Sequence, residues 1–355
     1  MDIESRMDLV TRPPTEEVVT RDELRQLLEN EEHPGHYQGF EISGHLHVGT
    51  LILSGFKVND LAAAGFKTKV LLADWHSILN KKLGGDWDKI LKAGKYYREA
   101  FKFFCPKTEV VLGSDLYHNN DEYWKSVVKF SLDISLARAS RCLTIMGRSE
   151  NEKLDLAQYF YPPMQAVDIH ELGAHLPHGG MDQRKIHMLA REVYPSLGWK
   201  KPIALHHHLL PGLAEPPKVA VDADKETKVE AAKMSKSKPW TAIFVHDSAA
   251  EIKQKLAKAY CPAQVEGNPV LELAKYIVFH EFKEVAVHRD SKFGGDVTFA
   301  SYEELEKAFV DKKLHPMDLK NCTGEYIDKI IAPVRKHFET RQELLEVYKE
   351  VEITR

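Results

Sequence analysis

Residues 36–73 read HYQGFEISGHLHVGTLILSGFKVNDLAAAGFKTKVLLA, and their pattern decides the fold. His36–Ser43 is rich in aromatic and apolar residues and closes on Gly44, the mark of a strand. From Leu46 to Ala64 the spacing turns helical. Val48, Leu51, Ile52 and Phe56 share one face, and Gly65 is a natural C-cap. Thr68–Ala73 is a short, mostly apolar run, as expected of a strand buried on both faces. Strand, helix and strand in this order make a βαβ unit, for which a right-handed crossover is expected.

The rhythm extends outward from this unit. Thr20–Asn30 reads as a helix, with Thr20 as N-cap and Glu23 as its capping-box partner. Downstream, Trp87–Phe104 and Glu122–Arg141 read as helices, and Thr108–Leu112 as a strand closed by Gly113. A helix follows from about Pro163 to Leu172, where proline suits the first turn. Another runs from Gln183 to Val193, before a strand over Ile203–Leu209. This alternation predicts an α/β fold on a doubly wound parallel sheet. After about residue 245 it stops. Ala249–Ala259, Pro269–Val278, Tyr302–Val310 and Glu325–Glu350 read as helices, the last broken near Pro333, with no clear strand series between them. Two domains are expected, 1–250 and an all-helical 251–355. Residues 213–232, with Pro216, Pro217 and a charged run, read as a mobile loop.

Composition bounds the function. The 355 residues carry 49 Lys+Arg against 53 Asp+Glu, a net charge of -4, and are 43% hydrophobic. That excludes disordered, collagen-like and coiled-coil classes. The longest apolar runs, such as Val70–Ala73 and Ala242–Val245, fall far short of the roughly 18 residues that cross a membrane. Met1–Glu4 shows no basic region leading into an apolar core, so no signal peptide is expected. Cys105, Cys142, Cys261 and Cys322 lie far apart, which argues against a disulfide framework and for a reducing cytoplasm. Indiscriminate coating of nucleic acid would need a basic surplus. Residues 251–355 hold 17 Lys+Arg against 19 Asp+Glu, so any nucleic-acid recognition must be local. His206-His207-His208 could suggest a metal, but neighbours on a strand face opposite sides. The run reads as structural, and no metal site is expected.

Two short motifs carry chemistry. Ser43-Gly44-His45-Leu46-His47-Val48-Gly49-Thr50 follows the first strand of the βαβ unit, where ligands of open parallel sheets sit. A helix starting there offers free N–H groups to a phosphate, and His47 can donate to a developing phosphate charge. The turn is neither GxGxxG nor a P-loop. Taken alone it is equally a glycine-rich turn with incidental histidines. Lys233-Met234-Ser235-Lys236-Ser237 places two lysines three apart beside serines. Alone it reads more simply as a solvated basic loop.

Together, in this order and on this architecture, the two segments resemble the HIGH and KMSKS signatures of class I aminoacyl-tRNA synthetases. Thr50 stands where HIGH has its second histidine. Within that class the chain closely resembles the archaeal and eukaryotic tyrosyl type. The matching stretches are Tyr37-Gln38-Gly39-Phe40-Glu41, Leu71–His76, Tyr161–Gly173, Gly179–Ala190, the KMSKS loop, Lys292–Asp296 and His315–Asn321, collinear over most of the chain. The resemblance implies a Rossmann-like catalytic domain over 1–250, carrying the KMSKS loop, and a helical anticodon-binding domain over 251–355. It implies tyrosine, ATP with Mg2+, and tRNA(Tyr) as substrates, and a cytoplasmic homodimer.

It also assigns residues. Tyr37 and Asp168 would bind the phenol hydroxyl of tyrosine, and Tyr161, Gln165 and Gln183 its ammonium group. Ala73 and His76 would line the pocket. Gly44, His47, Gly49 and Thr50 would serve the ATP phosphates, with Lys233 and Lys236 closing over them. Gly180 and Asp182 would hold the ribose. Arg141, Arg184 and Lys185 would meet the acceptor end of tRNA. Phe293, His315, Pro316, Met317 and Asp318 would read the anticodon.

The residues themselves are compatible with this and with plainer roles. Gln165 and Asp168 share a helical face with Tyr161 at its entry, which means either solvent or a polar ligand. Asp182 would make an ordinary N-cap. Arg138, Arg141 and Arg148 suit backbone phosphates or ordinary surface charge, and His315-Pro316-Met317-Asp318 reads equally as a helix start. A phenol hydroxyl needs one acceptor and one donor in a dry pocket, which an ionised Asp168 and Tyr37 supply. A tryptophanyl synthetase is the nearest rival, but an indole has no hydroxyl for that pair. A nucleotidylyltransferase sharing the HIGH turn and a non-catalytic RNA-binding paralogue are more distant. The helical C-terminal region disfavours the first. Intact His47, Gly49, Lys233 and Lys236 disfavour the second.

Overall fold

The computed structural model describes residues 1–147, 155–217, 232–236 and 238–349. Arg148, Ser237 and most of the 213–232 loop lie outside these. The chain forms two compact units. One joins Met1–Gly44, Lys57–His208 and Glu343–Arg355, and the other joins His45–Phe56 with Leu209–Gln342. The boundary expected near 250 therefore falls inside the second unit. Backbone pairing explains why the His45–Phe56 stretch belongs there. Val48 N–H donates to the Ile243 carbonyl at 2.9 Å, and Val245 N–H to the Leu46 carbonyl at 3.1 Å.

The first unit is built on six strands: β1 (Thr15–Val19), β2 (Gly35–Glu41), β3 (Lys67–Ala73), β4 (Glu109–Leu112), β5 (Leu176–Gly180) and β6 (Ala204–His207). Their order is β1-β6-β5-β2-β3-β4. β2 pairs in parallel with β3 along its whole length, from Gly35 opposite Lys67 to Glu41 opposite Ala73. β2–β5, β3–β4 and β5–β6 are parallel too. β1 alone runs antiparallel, on the edge beside β6. The strand order reverses between β2 and β5, and open sheets bind ligands at the carboxyl ends of strands flanking such a point.

Helices cover both faces of this sheet. On one, Tyr37 and Leu71 pack with Val127, Met164, Ile186 and Leu189 from the helices Asp121–Leu132, Tyr161–Glu171 and Arg184–Val193. On the other, Leu176 and Leu205 pack with Val10, Leu24, Leu28 and Leu61. The Arg21–Asn30 helix starts with the expected capping box between Thr20 and Glu23.

Three helices depart from expectation. The Leu46–Ala64 helix starts at Val48 with wide π-turns and becomes regular only over Ser54–Ala63. The Glu122–Arg141 helix is two, Asp121–Leu132 and Leu136–Cys142, because Ser135 caps the second by accepting from Arg138 N–H. The last long helix starts earlier and is not broken. It spans Pro316–Glu339 and runs through Pro333. An interior proline costs about 3 kcal/mol, which burial of Ile330, Ile331 and Val334 offsets.

In the second unit that helix packs against Ala249–Lys258, which a Ser248/Glu251 capping box starts. The helices Pro269–Leu273 and Tyr302–Val310 complete the helical part. The region is not all-helical, since β7 (Val285–Val287) and β8 (Val297–Phe299) form an antiparallel pair. No described helix is long and apolar enough to cross a membrane.

Candidate active site

Tyr37 and Gly39 lie on the same face of β2, two residues apart. A Cβ at Gly39 would collide with the Tyr37 hydroxyl. Glycine there lets the buried phenol lie along the strand. Asp168 sits in the Tyr161–Glu171 helix with no exposed surface. Its Oδ1 accepts from Tyr123 Oη at 2.8 Å and its Oδ2 from Tyr117 Oη at 3.1 Å. His76 Nε2 lies 3.7 Å from Oδ2. Burial pushes the Asp168 carboxyl up to about 8. The two phenol bonds oppose that rise, and the charges of Asp74 and Glu171 add to it. Burial, with the Asp168 charge second, raises the Tyr37 phenol well above its ordinary value.

The other expected pocket residues come from neighbouring elements. Ala73 ends β3 and is paired with Glu41. His76, in the Asp74–Leu79 helix, meets the Tyr161 ring edge-on at 4.5 Å. Burial holds its imidazole down to about 3, so it is neutral. Neither of its ring nitrogens makes a hydrogen bond. Gln165 Nε2 donates to Gln183 Oε1 at 3.0 Å, and Gln183 Nε2 donates to the Ile145 carbonyl at 3.1 Å. Gln165 Oε1 is buried with no partner. A buried, unpaired amide oxygen is costly and offers an acceptor to an ammonium group.

Three residues here escape sequence reasoning. Tyr117 and Tyr123 hold Asp168 from 51 and 45 positions away, and Glu41, after burial, raises the Tyr161 phenol by its charge and hydrogen bond. Nothing local marks any of them.

The phosphate-side motif is a hydrogen-bonded unit. His47 caps the first turn, its Nδ1 accepting from Gly49 N–H at 3.1 Å. Its Nε2 lies 2.9 Å from Thr50 Oγ1. Burial first, then Lys236 and Lys233, lower the His47 ring to about 3. Lys233 bridges Pro211, and the buried Met234 donates its N–H to the Leu210 carbonyl. This anchors the KMSKS segment between its lysines. The carbonyl of Gly44, three residues beyond the end of β2, accepts from Tyr97 Oη at 2.9 Å.

Gly180 ends β5, and the short turn Met181–Gln183 leads into the Arg184–Val193 helix. The N-cap of that helix is Gln183, without a side-chain bond. Asp182 is therefore not the N-cap, which removes its plainer role.

The basic residues divide. Arg141 is exposed. Lys185 Nζ reaches Thr144 Oγ1 at 3.2 Å. Arg184 forms an ion pair with Glu17 at 2.9 Å, and Arg138 pairs with both oxygens of Glu192. Arg184 is thus engaged inside the protein, and a phosphate would have to compete with Glu17.

Phe293 ends the turn Ser291–Phe293. His315 caps the Pro316–Glu339 helix, its Nδ1 accepting from Met317 N–H at 3.1 Å, and Pro316 is the first helical residue. Met317 is exposed and Asp318 lies in the same first turn. The His206–His208 run alternates faces, as strand geometry requires. His206 Nε2 meets His187 at 3.1 Å, while His207 Nδ1 meets His178 at 2.8 Å.

A parallel sheet whose strand β2 leads into His47–Thr50, followed far downstream by Lys233-Met234-Ser235-Lys236, is the arrangement of the class I aminoacyl-tRNA synthetases. The family model described as tRNA synthetases class I (W and Y) matches residues 29–332. A tyrosine–tRNA ligase of Thermococcus sibiricus is 49% identical over 376 aligned residues, covering all of both chains. The structure of tyrosyl-tRNA synthetase complexed with L-tyrosine from Pyrococcus horikoshii superposes with a TM-score of 0.91 at 46% identity, covering 99% of this chain and 100% of that one. The corresponding complex from Archaeoglobus fulgidus gives 0.84 at 40% identity, over 95% and 99%. The chain belongs to the tyrosyl-tRNA synthetases of archaeal type within that family.

Proposed function

We propose that the protein is a tyrosine–tRNA ligase. It activates L-tyrosine with MgATP to tyrosyl-adenylate and transfers the tyrosyl group to the terminal ribose of tRNA(Tyr). The observation that carries this reading is the fully buried Asp168 carboxyl, with His76 Nε2 3.7 Å from its Oδ2 and the buried Tyr37 phenol within reach of its charge. A phenol hydroxyl finds there an acceptor in Asp168 and a donor in Tyr37. An indole or a phenyl ring would leave both unpaired, at a cost of about 1–3 kcal/mol per group.

In the first step the tyrosine carboxylate attacks the α-phosphorus of ATP and pyrophosphate leaves. No protein nucleophile takes part, so catalysis is positioning and charge stabilisation. Gln165 Oε1, with Tyr161 and Gln183, receives the ammonium group. The neutral His47 offers its Nε2–H to a phosphate oxygen. Lys233 and Lys236 neutralise the departing pyrophosphate as their loop closes. Asp182 and the Gly180 backbone hold the ribose, and Mg2+ arrives with the nucleotide's phosphates. In the second step the terminal 2′-hydroxyl of tRNA attacks the adenylate carbonyl and AMP leaves.

The tRNA is held by Arg141, Arg184 and Lys185 near its acceptor end. Phe293, His315, Pro316, Met317 and Asp318 meet the anticodon, where stacking and a carboxylate can read splayed bases. The enzyme is a cytoplasmic homodimer. Val128, Leu132 and Leu136 expose 60%, 79% and 71% of their surface, which suits an interface with a second copy. Charging of unfractionated tRNA with labelled tyrosine tests the whole reaction. Adenylate formation without charging would leave only its first half standing.

A further inference from the structure

Asp168 is an expensive group to hold as an anion. It has no exposed surface, and the charges of Glu171, three residues on in the same helix, and of Asp74, in the Asp74–Leu79 helix, act on it. Against that stand two phenols. Tyr123, from the Asp121–Leu132 helix, gives its hydrogen to Oδ1 at 2.8 Å, and Tyr117, from the Gly113–Tyr117 helix, gives its own to Oδ2 at 3.1 Å. Both rings are buried and lie 4.6 Å apart between centroids. Trp75 meets the Tyr117 ring edge-on at 5.9 Å, and Trp124 meets the Tyr123 ring edge-on at 5.3 Å. Tyr117 reaches its place because residue 113 is glycine. A Cβ there would stand 3.0 Å from the Tyr117 ring and 2.6 Å from Asp74 Oδ1.

We propose that Tyr117 and Tyr123 are positioning residues for tyrosine selection: each phenol occupies one oxygen of Asp168, fixing the carboxyl's plane and favouring its ionised form, the acceptor for the substrate hydroxyl, over the protonated one. This rests on Asp168 being that acceptor. Each carboxylate oxygen has two acceptor sites. One phenol on each leaves a remaining lone pair directed away from the clamp. A hydrogen bond to an ionised carboxylate is about twice as strong as one to a neutral acceptor, so the clamp controls affinity for tyrosine and leaves the chemistry at the α-phosphorus untouched. The groups facing the carboxylate are Tyr117, Tyr123, His76, Tyr37, Tyr194, Asp74 and Glu171. Among them the two phenols are its hydrogen-bond donors.

The test uses the full-length protein and tyrosine-dependent exchange of pyrophosphate into ATP, from pH 6 to 9.5. Tyr117→Phe and Tyr123→Phe each keep the ring packing and remove one donor. The expected result is a rise of about tenfold in KM for tyrosine at pH 7, with kcat within about twofold of the parent. The rise should shrink as pH increases, because the carboxyl that lost a donor ionises at higher pH. A KM that does not move, or moves equally at every pH, overturns the clamp and leaves the phenols as packing. Asp168→Asn separates this from the underlying assignment. If that variant binds tyrosine normally, the acceptor assignment itself fails. If Asp168→Asn weakens tyrosine while both phenylalanine variants match the parent, only the clamp fails.

Discussion

The Thr50 hydroxyl lies 2.9 Å from Nε2 of His47, and this pairing fixes the imidazole's tautomer. Nδ1 accepts from Gly49 N–H, so it carries no hydrogen. Burial holds the ring neutral, so the hydrogen is on Nε2 and is held toward Thr50 Oγ1 until a phosphate oxygen takes its place. We propose that the threonine, at the place of the signature's second histidine, serves by aiming the first.

Thr50→Val should lose that guidance while keeping the shape. The single-turnover rate of tyrosyl-adenylate formation should fall about fivefold, the worth of one neutral hydrogen bond of about 1 kcal/mol. KM for tyrosine should stay unchanged. A rate equal to the parent's would show that His47 is oriented by Gly49 alone.

Gly39→Ala puts a methyl group against the Tyr37 hydroxyl. The phenol must shift, and a misplacement of about 1 Å in a positioned group can cost up to about 100-fold. KM for tyrosine should rise at least tenfold while KM for ATP stays within about twofold. Equal loss for both substrates would point to a fold defect, which a thermal melt would reveal.

Asp318→Ala acts on the first turn of the Pro316–Glu339 helix, with no part in activation. Aminoacylation of tRNA(Tyr) should weaken about tenfold, the loss of a charged hydrogen bond, while pyrophosphate exchange is spared. Matching losses in the two assays would contradict the anticodon assignment.

Stability should depend steeply on pH through a row of buried imidazoles. His36 Nε2 meets His178 Nδ1 at 3.3 Å, and His178 Nε2 meets His207 Nδ1 at 2.8 Å. Burial lowers His36 to about 3 and His207 to about 4, and His178 well below its ordinary value. The unfolded chain takes up protons on these rings near pH 6.5, and the folded chain does not. Their contribution is complete above about pH 6.5 and is lost as pH falls toward 4, at up to about 4 kcal/mol per pH unit for three rings. Urea unfolding at pH 7, 6 and 5 measures this, and His178→Gln should reduce the slope by about one proton. A slope unchanged by that substitution would remove the row from the account.

Much of this architecture is legible in the sequence, and what is not has physical causes. β2, β3 and the capping box at Thr20 declare themselves by local pattern. β1 does not: Thr15–Val19 is short, carries Glu16 and Glu17, and is a strand only because it pairs with β6, some 190 residues on. Ser135 splits a helix that periodicity alone would continue. Pro333 should end one that long-range packing sustains. Gln165 and Asp168 stand out as polar residues on one helical face, the two signature segments only in combination, and Tyr37 only through the family resemblance. Tyr117 and Tyr123 do not, since a buried tyrosine looks the same in sequence whether it packs or donates. Arg184 and Arg138 read as open cations, because nothing near them reveals Glu17 and Glu192 as partners.

The central claim is that the buried Tyr37–Asp168 pocket selects tyrosine for activation. Exchange of labelled pyrophosphate into ATP, run with each of the twenty amino acids in turn, tests it most directly. The pocket predicts exchange with tyrosine and background with phenylalanine and tryptophan. Exchange driven by tryptophan, or by no amino acid at all, would contradict it.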